Sequence, residues 1–118
     1  MGDLTKYFSR SEFACKCGCG LDTVDIDTIA ILEEVREHFD KPVTITSACR
    51  CVKHNNAVGG AVNSQHVKAR AADIQVKGVS PIEVAMFVET LIPNSGGIGI
   101  YSTFTHVDSR SNKARWGG

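Results

Sequence analysis

Four residues in two short stretches have the types and spacing for metal chemistry. In SQHVKARAAD, Ser64 to Asp73, a histidine and an aspartate stand seven apart with small residues between them: His66 and Asp73. A buried carboxylate is costly unless it is paired or bound to a metal, so the pair points to a metal. Two ligands do not make a catalytic zinc site, which takes three protein ligands and keeps a position open for water. In FTHVDSR, His106 and Asp108 are two apart on an expected strand, where alternate residues share a face. His106 supplies the third ligand, and Asp108 falls beside it, as a ligand neighbour or as a partner of the ring. Two imidazoles and a carboxylate suit zinc, which brings the pKa of a bound water toward neutrality and polarises a carbonyl. Each residue alone has an ordinary reading too. A loop histidine such as His66 is commonly polar surface, and Asp73 could cap a turn or pair with Arg70.

The elements that must position these residues follow from periodicity and punctuation. SRSE, Ser9 to Glu12, fits a capping box that opens a short helical turn. From Asp25 to Phe39, the residues Ile26, Ile29, Leu32, Val35 and Phe39 recur at helical spacing, with acids early and Arg36 and His38 late. PVTITSA reads as a strand in which Val43 and Ile45 alternate with threonines, and AADIQV reads as a second strand. Between them, HNNAVGGAVNSQ is a loop rich in Asn and Gly. Ser80-Pro81-Ile82-Glu83 opens a second helix with a capping serine and Pro at its first position; Val84, Phe87, Val88 and Leu91 form its apolar face. GGIGIY and FTHVDSR form a hairpin around STF. Two helices and about four strands in runs predict a single α+β domain over residues 1–118, an antiparallel sheet flanked by helices with the metal on the sheet face.

Composition narrows the function. The 118 residues carry no formal net charge, whereas nucleic-acid binders usually have a basic excess. No apolar run approaches the ~20 residues of a membrane span. MGDLTKYFSRSEF lacks a basic region followed by an apolar one, so no secretory signal is expected. Nothing in the pattern sets an oligomeric state.

Beyond the ligand stretches, TSACRCVKHNNAVGGAVNSQHVKARAADI and GIGIYSTFTHVDSR resemble the zinc D-alanyl-D-alanine carboxypeptidase family, and more narrowly its small phage and prophage peptidases with the hedgehog/DD-peptidase fold. The family pattern Ser-x-His-x-x-Gly-x-Ala-x-Asp is matched by Ser64, His66, Ala71 and Asp73, and the distant histidine by His106. Ser47-Ala48-Cys49-Arg50 stands where the family has S-G-Y-R, and Val58-Gly59-Gly60 matches its V-G-G. YFSRSEFACKCGCG is also typical of the prophage branch.

The resemblance implies a zinc peptidase acting on peptidoglycan stem peptides, of the endolysin kind. It would be made in the bacterial cytoplasm and act on the cell wall. Arg50 is implied to help hold the substrate, since its guanidinium fork suits a carboxylate; alternatively it forms a surface ion pair. Ser64 is expected either near the metal and substrate or as a turn cap. Two positions depart from the pattern. Ala69 replaces the family glycine, and Thr103 stands where carboxypeptidase members carry a catalytic acid three residues before the last histidine. Asp108 is the nearest substitute for that acid, either as general base or as the partner that orients His106. A zinc-containing binding module without catalysis, or a virion-associated protein on the same fold, is the alternative function.

Five cysteines fall in two groups: Cys15, Cys17 and Cys19 in CKCGCG, Cys49 and Cys51 in CRC. They could form a second, structural zinc site, a disulfide between Cys51 and one of the loop cysteines, or buried thiols packed as small apolar residues. Gly18 and Gly20 would let the loop fold around a metal. His54 reads as loop surface.

Overall fold

The structure is a computed structural model. It describes Phe8, residues 10–13, Cys15, residues 25–48 and residues 71–117. A 3₁₀ turn spans Arg10–Phe13, where the SRSE stretch predicts one. Helix α1 spans Ile26–Phe39. The Asp25 side chain caps it by accepting from the Asp27 N–H at 3.2 Å, and Asp40 ends it in a left-handed conformation with φ 52°. Its buried face is Thr28, Ile29, Ile31, Leu32 and Val35. Ile26, read from the sequence as part of that face, is 78% exposed. Nine residues is two and a half helical turns, so Ile26 points away from Val35.

Helix α2 spans Pro81–Leu91, with Ser80 accepting from the Glu83 N–H and Pro81 in the first turn. The serine oxygen satisfies a donor that a helix start leaves without a partner, and proline lacks such a donor.

Five strands form one sheet: β1 (Val43–Ser47), β2 (Ala71–Val76), β3 (Gly97–Ile100), β4 (Thr105–Asp108) and β5 (Ala114–Gly117). Their order is β1-β2-β4-β3-β5. The first four pair antiparallel, including the β3–β4 hairpin read from the sequence. The fifth strand pairs parallel to β3, so the sheet is mixed where a wholly antiparallel one was expected. The chain reaches β5 by wrapping the start of β3: Gly96 N–H donates to Arg110 O at 2.9 Å, and Ala114 N–H donates to Gly96 O at 3.0 Å. Gly96 has φ +71°, and an added Cβ would meet the Asp108 carbonyl oxygen at 2.8 Å. Only glycine suits both conditions.

Alternation divides the sheet into two faces. Ile45, Ala72, Ile74, Val76, Ile98 and Val107 are buried in one core with Leu32 and Val35 of α1, Val84 and Val88 of α2, and Phe8 and Phe13. The helices contact β2, β3 and β4. The residues between these core positions, Asp73, His106, Asp108, Gly97 and Gly99, therefore share the opposite face.

Arg115 ties β5 to α2. Its guanidinium donates to the carbonyls of Ile92 (2.6 Å), Gly96 (2.6 Å) and Ala114 (2.9 Å), and to Glu89 Oε1 at 2.7 Å. The bond from Arg115 also holds the Glu89 carboxyl below its ordinary pKa. Arg115→Met keeps the aliphatic stem but removes the guanidinium bonds to these carbonyls, of which Gly96 O keeps its bond from Ala114 N–H. Each such group costs about 1–3 kcal/mol when buried. The carbonyls here are partly buried, so urea unfolding of Arg115→Met is expected to show a loss near the low end for the set, about 2 kcal/mol.

Candidate active site

The strand register builds a row across the sheet. Ser47 pairs with Asp73, Asp73 with His106, His106 with Gly99, and Gly99 with Trp116. The pairing of β1 with β2 shifts between Ile45 and Ser47, and this bulge sets Ser47 opposite Asp73. Bulges re-aim side chains in this way and recur beside active sites. A second row, one pleat repeat along, runs Ala71, Asp108, Gly97, Ala114.

His106 lies between two carboxylates. Its Nδ1 is 2.9 Å from Asp73 Oδ1, and its Nε2 is 2.7 Å from Asp108 Oδ2. All three residues are buried. Burial is the strongest single influence on His106 and pushes its pKa down, but the bonds to Asp108 and Asp73, with their charges, together hold it above its ordinary value.

Asp108 is the most enclosed of the three, with no exposed surface. Oδ1 accepts from Gly97 N–H at 2.8 Å, Arg110 N–H at 3.1 Å and Arg110 Nε at 2.9 Å. Oδ2 accepts from Arg110 Nη2 at 2.7 Å and faces His106 Nε2. Burial alone would raise its pKa. The bonds from His106 and Arg110 outweigh that and hold it well below the usual carboxylate range. In turn the Asp108 bond raises Arg110. The fork grips a carboxylate by both oxygens, the geometry in which arginine is strongest. Gly97 is needed here, because an added Cβ would collide with the Asp108 carboxylate.

The sequence reading placed Asp73, His106 and Asp108 near one another, and all three meet in this row and its neighbour. His66, Ser64 and Arg50 lie outside the described residues, as do Cys17, Cys19, Cys49, Cys51, His54, Ala69 and Arg70. Cys15 is buried. Thr103 is exposed, and its carbonyl accepts from Gln75 Nε2 at 2.9 Å. Among the described residues no group of three His, Cys, Asp or Glu side chains is placed to hold a metal.

Four contributors escaped the sequence reading. Arg110 stands two residues after Asp108 and could have been paired with it by the same alternation. Gly97 and Gly99 alternate in GGIGIY, a sign that side chains from neighbouring strands occupy the space over β3. Trp116, the chain's one tryptophan, belongs to a strand that was not foreseen.

A groove of about 540 Å³ lies between α2 and the β3–β5 edge, lined by α2 residues from Ala85 to Glu89, by Ile98 and Ile100, and by Arg115, Trp116 and Gly117 of β5. It opens on the helix side of the sheet. Its charged pair, Glu89 and Arg115, is spent on itself and on the strand ends, which leaves the His106 cluster as the candidate site.

Residues 6–108 match the peptidase M15 family. The chain belongs to that family. It is also similar to the "probable peptidoglycan L,D-endopeptidase MepK" of Haemophilus influenzae, with 35% identity over 66 residues. That stretch is 54% of this chain and 34% of the relative, so the match spans about a third of the relative's length. The M15 family match covers Asp73, His106 and Asp108. No helix among the described residues is long and apolar enough to cross a membrane.

Proposed function

We propose that this M15 chain is a zinc-dependent peptidase that hydrolyses amide bonds in the stem peptides of peptidoglycan, acting on the cell wall. The observation that carries the reading is the buried His106 imidazole with Asp73 on one nitrogen and Asp108 on the other. A metal-bound histidine characteristically gives its second nitrogen to a carboxylate, which fixes the ring and its tautomer. The donors fit zinc: an imidazole nitrogen and a carboxylate oxygen face each other at 2.9 Å, and both are ordinary zinc ligands. M15 peptidases are generally zinc enzymes, which supports the same reading.

In this proposal Asp73, His106 through Nδ1, and His66 hold the metal. When bound, zinc supplies an activated water and polarises the scissile carbonyl. The remaining work falls to the chain's own residues. Asp108 accepts the proton-bearing Nε2 of His106, leaving the Nδ1 lone pair directed toward Asp73. Arg110 and the Gly97 N–H hold Asp108 in place and keep it ionised. With five donors around it, Asp108 is suited to orient His106 rather than to take a proton from water. Arg50 and Ser64 are assigned to substrate binding by the family resemblance alone, Arg50 as the grip on a substrate carboxylate. The endopeptidase name of the Haemophilus influenzae relative favours cleavage within the peptide over removal of a terminal alanine.

The test is hydrolysis of purified peptidoglycan. Zinc-loaded protein is expected to release new amino and carboxyl termini, chelator to stop the release, and added zinc to restore it. Absence of new termini with a full equivalent of zinc bound overturns the peptidase reading and favours a zinc-containing binding module, the reading that Thr103 at the family's acid position would suit.

A further inference from the structure

Trp116 is half-buried on β5, at the end of the row that contains Asp73 and His106. Its ring centroid is 5.0 Å from that of His106, with the planes tilted by 48°. Nothing on β3 separates them, because the intervening residue is Gly99. An added Cβ at Gly99 would come within 2.5 Å of the indole, so the missing side chain lets the ring lie over the strand.

The ring is also fixed in orientation. Its Nε1–H donates to Tyr101 Oη at 2.8 Å, and the Tyr101 ring stacks on Phe104 at 4.4 Å. The Arg110 guanidinium carbon sits 5.3 Å from the indole centroid, but that arginine's fork is engaged by Asp108. The side of His106 away from Asp73 is therefore aromatic, and its nearest donors are already committed. Such a surface suits peptide planes and methyl groups rather than a carboxylate.

We propose that the Trp116 indole is a wall of the substrate site, packing against the neutral, alanine-bearing part of the stem peptide while its charged groups are recognised elsewhere. This rests on the peptidase reading above and deepens it by assigning the chemistry of one side of the cleft. Tyr101 and Gly99 are positioning residues in this scheme: one holds the indole nitrogen, and the other leaves room for the ring.

The test uses the zinc-loaded full chain and soluble disaccharide–pentapeptide muropeptides. Trp116→Ala is expected to raise KM about tenfold, the effect of losing roughly one good aromatic contact. The value of kcat should stay within about threefold, since groups that bind ground and transition states alike act on KM. Bound zinc should not change, and Trp116→Phe should recover most of the loss. Gly99→Ala keeps the indole but displaces it, and should resemble Trp116→Ala. A readout that needs no variant is the emission of the single tryptophan, followed by stopped flow as muropeptide is added to wild type. It should change saturably, with a midpoint near KM.

An unchanged KM in folded Trp116→Ala overturns the wall, as does an emission that does not respond at concentrations well above KM. So does a fall in kcat and zinc content at constant KM, which would make Trp116 a support for His106. The two readings separate cleanly. Saturable emission changes without turnover in wild type keep the wall and remove the peptidase; turnover at wild-type KM in every variant keeps the peptidase and removes the wall.

Discussion

His106→Ala should reduce peptidoglycan hydrolysis by more than about 100-fold, beyond the upper end of what the loss of an outer partner of a metal ligand produces. The imidazole reaches both carboxylates, at 2.9 and 2.7 Å. Removing it takes one ligand from a proposed set of three, too few for a catalytic zinc. It also takes the imidazole bond away from the buried Asp73 carboxylate, a costly loss for a charge held out of water. Activity is therefore to be read beside a thermal melt. His106→Gln, which keeps a polar group between the carboxylates, should lose activity as deeply while holding more of the stability. Hydrolysis within tenfold of wild type in a folded His106→Gln protein would remove His106 from the chemistry.

Asp108→Asn has the second large effect, and it separates two roles for that carboxylate. The amide still accepts at its oxygen, but its NH₂ must face donors of Arg110, Gly97 or His106. Breaking a wholly buried ion pair costs about 3–5 kcal/mol. Arg110 is 29% exposed, so a loss of about 2–3 kcal/mol on unfolding is expected once that pair is discounted for solvent. Zinc affinity should fall about 10–100-fold, as it does when a ligand's supporting partner is removed. Turnover should fall at low zinc and return toward wild type at saturating zinc, because an orienting group acts through occupancy of the site. If Asp108 is the general base, a loss of about 10²–10⁴-fold persists at saturating zinc. The measurement is kcat as a function of zinc concentration in the two proteins.

Much of the frame was legible because local signals and tertiary demands agree. The Ser80-Pro81 cap, the alternation in VTITS and the HVD stretch each fix an element without help from the rest of the chain. His106 and Asp108 share a face in the structure for the reason given by their spacing, the period of two along a strand. Ile26 was misassigned because an isolated apolar residue at the start of a periodic run looks like part of the stripe until its angle is counted. The parallel strand β5 could not be read locally. ARWG carries little alternation, and its place beyond β3 depends on the wrap around Gly96 and on Arg115 reaching the end of α2. The Arg110 fork on Asp108 was hidden for a similar reason: pairing within a strand end depends on whether the carboxylate is turned inward. Here that turn is allowed by a glycine on another strand.

Zinc bound per chain, determined on the same samples as turnover, tests the metal centre most directly. Wild type should hold one equivalent after exposure to zinc and removal of the excess, and His106→Gln and Asp73→Ala should hold almost none while remaining folded. One equivalent retained by both folded variants would contradict an assignment of the metal to Asp73 and His106.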